Sequence, residues 1–184
     1  MEIKNTVALV TGGAHGIGRA LCRALHKQGA RVAVADLDME AAEKVAAEVG
    51  GLALRVDVAK ETEIIAAIEK VERELGPVSL FVSNAGVAFG DGPNGAASAP
   101  NEHWQTCLDV NLMAHVYAAR AMIPLMTERG GGCLVNIDSA AGLLSQIGEA
   151  ATGKEAMTQL HETEWDLVLL DLGLPDRSGV DLLK

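Results

Sequence analysis

The stretch Thr6-Val-Ala-Leu-Val10-Thr11-Gly-Gly-Ala-His-Gly-Ile-Gly18 decides the fold that we predict for this chain. An apolar, β-rich run comes first, a glycine-rich turn follows it, and a helical pattern continues over 19–27. Gly12, Gly16 and Gly18 permit a tight turn and a close approach of the backbone to a phosphate. The stretch therefore predicts a strand, a turn and a helix, with an anion site where the helix begins.

Strand and helix patterns alternate through the rest of the chain. We predict further strands at 32–36, 52–57, 78–83, 133–138 and 166–171, and helices at 38–48, 61–74, 102–127, 152–162 and from about 178. This alternation is typical of a parallel sheet covered on both faces by helices. The fold class is therefore α/β, a three-layer doubly wound parallel sheet of the Rossmann type with strand order 3-2-1-4-5-6, formed as a single domain over 1–184. A long loop at 86–101 is expected beside a site.

Composition excludes several classes of function. The 184 residues are 49% hydrophobic but only 3% aromatic, which disfavours an antiparallel β sandwich. The formal charge of -10 repels nucleic acid and anionic membranes, so neither is an expected partner. Three cysteines in apolar stretches predict buried reduced thiols instead of a disulfide or zinc site. Without a signal segment or a run of eighteen apolar residues, we expect a soluble cytoplasmic protein.

Asp36 closes the second predicted strand, eighteen residues after Gly18. A carboxylate at this place can accept hydrogen bonds from both hydroxyls of an adenosine ribose, and it would repel a 2′-phosphate. Together with the glycine turn, Asp36 predicts a dinucleotide site. The predicted cofactor is NAD, in preference to NADP.

A set of motif residues resembles the short-chain dehydrogenase/reductase family over residues 1–149. The set comprises Thr11 to Gly18, Asp57-Val58, Asn84-Ala85-Gly86, Asn111 and Ser139. For cofactor binding, the resemblance implies pyrophosphate contacts from Thr11, Gly12, Gly16, Ile17 and Gly18, a ribose contact from Asp36, adenine contacts from Asp57 and Val58, and a strand-four wall of Asn84, Ala85 and Gly86.

The same resemblance implies that Asn111 and Ser139 are catalytic. Other roles remain open from the residues themselves. Asn111 can instead tie its helix to a neighbouring strand, because a buried amide needs hydrogen-bond partners. Ser139 can be an ordinary turn hydroxyl, and Asp57 can cap a helix.

One part of the family pattern is missing. The family's Tyr-x-x-x-Lys pair would fall on Ala151-Thr-Gly-Lys-Glu-Ala156, which holds no tyrosine. Tyr117, the one tyrosine of the chain, precedes Ser139 and is expected to serve packing. Hydroxyls of serine and threonine are poor proton donors at neutral pH, so hydride transfer is predicted to be weak or absent. The alternative is an oxidoreductase with residual activity on alcohols and ketones, using Asn111, Ser139 and a substitute proton donor.

Residues 150–184 resemble part of a response-regulator receiver domain. The run Trp165-Asp-Leu-Val-Leu-Leu-Asp171-Leu-Gly-Leu-Pro175-Asp-Arg-Ser-Gly179 carries this resemblance. It implies a phosphoacceptor at Asp171, hence signalling as a third function, and a chimera in which 1–149 and 150–184 share one sheet. Asp138 and Asp171 could also bind a divalent cation together, although two solvated strand-end acids are the preferred interpretation.

Two surfaces favour self-association. The resemblance implies pairing through the long helix at 102–127 and the helix after it, although the second is replaced in this chain. Strand six at the edge of the sheet offers unpaired backbone groups. The expected partners are therefore a dinucleotide and, through either surface, a second copy of the chain.

Overall fold

Parallel strands form one sheet in the order β3-β2-β1-β4-β5-β6. The computed structural model describes residues 2–89 and 99–138 and the backbone of 168–171. Its elements are β1 (Val7–Thr11), α1 (Gly16–Lys27), β2 (Arg31–Asp36), α2 (Met39–Glu48), β3 (Leu52–Arg55), α3 (Glu61–Leu75), β4 (Val78–Ser83), α4 (Asn101–Leu108), a π-helical segment (Asp109–Met113), α5 (Ala114–Glu128), β5 (Cys133–Asp138) and β6 (Val168–Asp171). The predicted α/β class and strand order are confirmed.

The centre of the sheet is buried on both faces. Every residue of β1 is buried, and its side chains alternate between two apolar clusters. Val7 and Leu9 pack with side chains of α3 and α5, while Ala8 and Val10 pack with α1 and α2. This explains why β1 is an unbroken apolar run, since a strand covered by helices on both sides has no solvent face.

The strand register brings the loops that follow β1 and β4 to the same edge. β1 pairs with β2 on one side and with β4 on the other, both in parallel. Successive connections leave in opposite directions at this pair, because β2 and β3 lie beyond β1 whereas β5 and β6 lie beyond β4. A crevice therefore opens between the carboxyl ends of β1 and β4, the usual ligand position in such sheets.

Several element boundaries differ from the predictions by one residue, and three elements within 2–89 and 99–138 differ by more. Helix α1 begins at Gly16 instead of residue 19, because His15 is extended and the glycines themselves form the first turn. Strand β3 ends at Arg55, which pairs with Asp36, the last residue of β2. The N–H of Val56 makes one further bond to this strand, donating to the carbonyl oxygen of Asp36 at 2.9 Å. The predicted helix at 102–127 contains the π-helical segment Asp109–Met113.

The cysteine prediction is wrong in part. Cys22 is buried, but Cys107 and Cys133 are only partly so. Cys107 lies on α4, a helix with no buried residue among those described. Burial raises the pKa of the Cys22 thiol to about 12, so this thiol is protonated at neutral pH.

Several predicted features lie outside the described residues. They are Ser139, the helices at 152–162 and from 178, and most of the loop at 86–101. None of the helices in the described part has the length and apolar character that a bilayer crossing requires.

A bidentate ion pair joins α3 to the end of α5. Arg129 donates from Nη1 to Oε1 of Glu72 at 2.5 Å and from Nη2 to Oε2 at 2.8 Å. The backbone N–H of Val78 also donates to Glu72, at 3.3 Å. The hydrogen bonds from Arg129 are the main reason that the pKa of Glu72 lies below its ordinary value of 4.5.

We predict that Glu72→Gln lowers the free energy of unfolding at pH 7 by about 1 kcal/mol, the upper range for a pair near the surface. A carboxyl with a lowered pKa stabilises the fold above its unfolded-state pKa and loses that effect as the pH falls through the folded-state pKa. The difference from wild type should therefore shrink between pH 7 and pH 3.5 in urea denaturation. Glu69→Gln, at an exposed position of the same helix, is the control. An equal difference at both pH values would contradict the ion-pair explanation.

Candidate functional site

The glycine turn after β1 is packed closely on one side and open on the other. A Cβ atom on Gly12 would lie 2.8 Å from Cα of Ala85, and one on Gly18 would overlap the carbonyl oxygen of Gly12. A Cβ atom on Gly16 would meet nothing within 4 Å. Two glycines thus let the turn approach β4, while the third leaves open space in front of the backbone.

The start of α1 faces this open space without a cap. No side chain caps the helix, and its first turn contains no acidic residue. The first amides of an α-helix have no intrahelical partner and carry a partial positive charge. The N–H groups of the exposed residues Gly16 and Ile17 therefore face solvent or an anionic ligand, while Gly18 is buried.

Thr11 and Asn84 fasten the glycine turn to the end of β4. Nδ2 of Asn84 donates to the carbonyl oxygens of Thr11 at 2.9 Å and of Gly12 at 3.2 Å. Oγ1 of Thr11 accepts from the backbone N–H groups of Asn84 at 3.0 Å and of Ala85 at 3.2 Å. The predicted residues of the turn and of strand four therefore lie side by side, and the Asn84 amide is used to hold the protein backbone.

Asp36 is held in place at the end of β2. Its Oδ2 accepts from the backbone N–H of Ala14 at 3.0 Å, and its Oδ1 accepts from the N–H of Asp38 at 3.0 Å. One bond comes from the glycine turn and the other from the segment that enters α2. The carboxylate is thus fixed beside the open start of α1, where the predicted ribose contact requires it.

Asp38 adds a second carboxylate at this edge. It caps α2 by accepting from the N–H of Ala41 at 3.1 Å, and Nε2 of His15 lies 3.4 Å from its other oxygen. The hydrogen bond from Ala41, followed by that from His15, lowers the pKa of Asp38. The edge is therefore negatively charged at neutral pH.

Asp57 is occupied at the entrance to α3. Its Oδ1 accepts from the N–H of Ala59 at 3.2 Å, and Nζ of Lys60 lies 3.0 Å from its Oδ2. Its own N–H donates to Glu63 at 2.8 Å. These contacts hold the turn before α3. The helix-capping role that the sequence left open is not observed, because Lys60 occupies the N-cap position and no side chain caps the helix. Val58 follows as a buried side chain.

Asn111 ties the π-helical segment to the chain after β4. Its Oδ1 accepts from the N–H of Val87, and its Nδ2 donates to the carbonyl oxygen of Val87, both at 2.8 Å. The side-chain amide is thereby paired on both of its polar atoms, as in the structural role that the sequence left open. π-helical segments of this kind are frequent at functional sites.

A cleft of about 280 Å³ lies beside this tie. Its described lining consists of Ala85, Gly86, Val87, Ala88, Asn111, His115, Ile137 and Asp138. Nδ1 of His115 lies 2.7 Å from Oγ of Ser83, which is buried in β4. Burial lowers the pKa of His115 and the charge of Asp138 opposes that effect.

Sequence reasoning missed His115. The available signal was its position four residues after Asn111, which places both side chains on one face of the helix.

Within the described residues, no three His, Cys, Asp or Glu side chains are grouped so that they could hold a metal ion. Tyr117 packs beside the core cluster of α3 and α5, with Cζ of Arg120 5.9 Å from its ring centroid.

Two predicted residues have side chains outside the described part of the chain, namely Ser139 and Asp171. The backbone of Asp171 pairs in register with Asp138 on the neighbouring strand. Strand β6 is four strands from β2, so the Asp36 and Asp38 carboxylates are distant from Asp171.

Known proteins resemble this chain in sequence and in fold. A family model described as short chain dehydrogenase matches residues 6–165. The 2-(S)-hydroxypropyl-CoM dehydrogenase 3 of Xanthobacter autotrophicus is 38% identical over 149 residues, covering 78% of this chain and 57% of that protein. A crystal structure of 3-ketoacyl-(acyl-carrier-protein) reductase from Brucella melitensis complexed with NADH superposes with a TM-score of 0.70 at 32% identity, covering 76% of this chain and 59% of that one.

A putative short-chain dehydrogenase from Novosphingobium aromaticivorans superposes over 96% of this chain and 73% of its own, with a TM-score of 0.74 at 27% identity. The chain thus spans a little over half of the Xanthobacter relative, 57%, while the family match continues past residue 149 to residue 165. A match over most of the chain, together with the same fold in solved relatives, establishes the family. The chain belongs to the short-chain dehydrogenase family.

Proposed function

We propose that this chain binds NAD in the crevice between β1 and β4 and acts as a weak NAD-dependent oxidoreductase on alcohols or ketones. The observation that carries the proposal is the fixed carboxylate of Asp36 beside the uncapped start of α1. The NADH-bound Brucella relative supports the choice of a nicotinamide dinucleotide. A bound nicotinamide would supply the acceptor or donor of the hydride.

The residues present fit this cofactor. A pyrophosphate needs room close to the backbone and N–H groups that can donate to it. The open space in front of Gly16 and the uncapped first turn of α1 provide both. The residues proposed for the pyrophosphate are Thr11, Gly12, Gly16, Ile17 and Gly18, with Asp36 for the ribose, Asp57 and Val58 for the adenine, and Asn84, Ala85 and Gly86 along strand four. The first turn of α1 contains no acidic residue, so no carboxylate there repels the phosphates.

Asp36→Ala should weaken NAD binding and ease binding of NADP. A hydrogen bond to a charged group contributes about 1.5–3 kcal/mol, so NAD affinity should fall by about tenfold or more. NADP affinity should rise, because the carboxylate no longer repels the 2′-phosphate. Isothermal titration calorimetry with both dinucleotides measures the two changes.

Glu69→Ala removes the same charge from an exposed position on α3 and is the matched control, which should leave both affinities unchanged. If folded wild-type protein gives no binding heat with either dinucleotide, the proposed cofactor is wrong.

Turnover should be slow because the Tyr-x-x-x-Lys pair is absent. General acid–base groups contribute about 10²–10⁴-fold to rates, so we expect turnover well below the ordinary range of about 1–10³ s⁻¹. NADH oxidation over a panel of ketones measures it. Ser139→Ala should abolish the remaining rate if Ser139 is catalytic, whereas Thr62→Ala, at an exposed position of α3, should not. Turnover in the ordinary range would contradict this prediction.

The phosphoacceptor function receives less support than NAD binding. Asp171 would need an acidic pair nearby to hold a magnesium ion. In the described part of the chain, the paired acids Asp36 and Asp38 are four strands away from β6. The proposal that the last part of the chain derives from a receiver domain rests on its sequence resemblance alone.

We also propose that the chain pairs with a second copy through α4 and α5. Large apolar side chains are exposed there at helical spacing and form a stripe, which consists of Trp104, Leu108, Leu112, Val116 and Ile123. An apolar stripe of this length on one helical face is typical of an interface. A second copy suits it because a two-fold axis brings the same stripe against itself.

Ile123→Glu should convert the dimer to a monomer, because two charges would be buried together at the two-fold contact. Ile123 is 54% exposed, so the substitution should leave the monomer folded. Ile65→Glu on α3, at a position that is 40% exposed, is the matched control outside the stripe. Sedimentation velocity distinguishes the dimer from the monomer by mass. An unchanged dimer in Ile123→Glu would contradict pairing through this face.

A further inference from the structure

The described lining of the cleft beside Asn111 includes a histidine whose ring is held by a hydrogen bond. Among the polar side chains of the described lining, the Asn111 amide is already hydrogen bonded to Val87 through both of its polar atoms. His115 and Asp138 are the two titratable groups. His115 contacts Ser83 through Nδ1, so Nε2 is the ring nitrogen that remains for a ligand in the cleft.

The Ser83 hydroxyl suits both protonation states of this imidazole. When Nε2 is the bare nitrogen of the neutral ring, Nδ1 carries the hydrogen, and the Ser83 oxygen can accept from Nδ1–H in both the neutral and the protonated ring. Because Ser83 is buried in β4, it holds the ring in one orientation in both states.

We propose that His115 is the acid–base residue of this cleft, exchanging a proton through Nε2 with the oxygen of a small alcohol or carbonyl compound. This inference rests on the proposed function and identifies its substitute proton donor. When an alcohol is the ligand, its O–H bond breaks, an Nε2–H bond forms, and the electron pair remains on the oxygen. The resulting imidazolium donates from Nδ1–H to Ser83. The reverse transfer returns the proton to the oxygen.

The surroundings of His115 set its charge. Ser83 faces it from β4, the carboxylate of Asp138 acts from β5, and Asn111 lies one turn earlier on the same helix. Burial, the larger effect, places its pKa below 6.5, so the ring is neutral at pH 7 and able to accept a proton. Alcohol oxidation should therefore decline as the pH falls through the pKa of His115.

The first experiment uses neither turnover nor dinucleotide. We follow the Cε1–H resonance of His115 by NMR against pH, assigned by its absence in His115→Gln, and then add trifluoroethanol, a small alcohol that serves as the probe. The resonance should titrate with a midpoint below 6.5, Asp138→Asn should lower that midpoint, and the probe should shift the resonance saturably. The exposed His26 on α1 should not respond to the probe. A His115 that neither titrates between pH 4 and 8 nor responds to the probe would overturn the proposal.

The second experiment compares His115→Gln with wild type. Glutamine can hydrogen bond to Ser83 but cannot exchange a proton at neutral pH. Residual turnover should fall at least tenfold and lose its acidic limb, while NAD affinity by calorimetry stays within twofold. Unchanged turnover and pH profile would overturn the role of His115. Absence of NAD binding in wild type would instead refute the proposed function, and the NMR result would still decide the role of His115.

Discussion

The candidate site depends on the close contact between the glycine turn and the end of β4. A Cβ atom on Gly18 would come within 2.5 Å of Nδ2 of Asn84 and would also overlap the carbonyl oxygen of Gly12. Any side chain at this position would push the turn away from β4. The hydrogen bonds from Asn84 to Thr11 and Gly12 would then be broken, and the start of α1 would move from the crevice. The absence of side chains at Gly12 and Gly18 therefore fixes the position of the glycine turn and of the start of α1.

Several motif residues act on the protein's own backbone. Asn84 holds the glycine turn, Asp57 holds the entrance to α3, and Asn111 holds Val87. The family resemblance implies ligand contacts or catalysis for the same residues. The two roles are compatible, because a loop that is already hydrogen bonded loses less conformational freedom when a ligand binds. Such residues prepare the site, and Asp36 does so with both of its oxygens.

The sequence predicted what depends on local pattern and left out what depends on contacts between distant segments. Alternation of apolar runs and glycine turns was sufficient for the sheet order and for the position of Asp36. The length of β3 was not predictable locally, since it ends where β2 ends. The contact of His115 with Ser83 joins residues 32 apart, and that of Asn111 with Val87 joins residues 24 apart. Neither contact can be predicted from the sequence of a single helix or strand. The π-helical segment that contains Asn111 has no distinctive composition.

A chain with a formal charge of -10 can still suit an anionic dinucleotide, because its charges are unevenly placed. Some carboxylates on the helices are paired with cations, as Glu48 is with Arg23 and Glu61 with Arg120. Unpaired ones far from the crevice are screened over a Debye length of about 8 Å at physiological ionic strength. The first turn of α1 carries no acid, whereas Asp36 and Asp38 lie at the end of β2. The start of α1 thus attracts phosphate, whereas the end of β2 repels it. The same arrangement that admits the pyrophosphate would disfavour a further phosphate on the ribose.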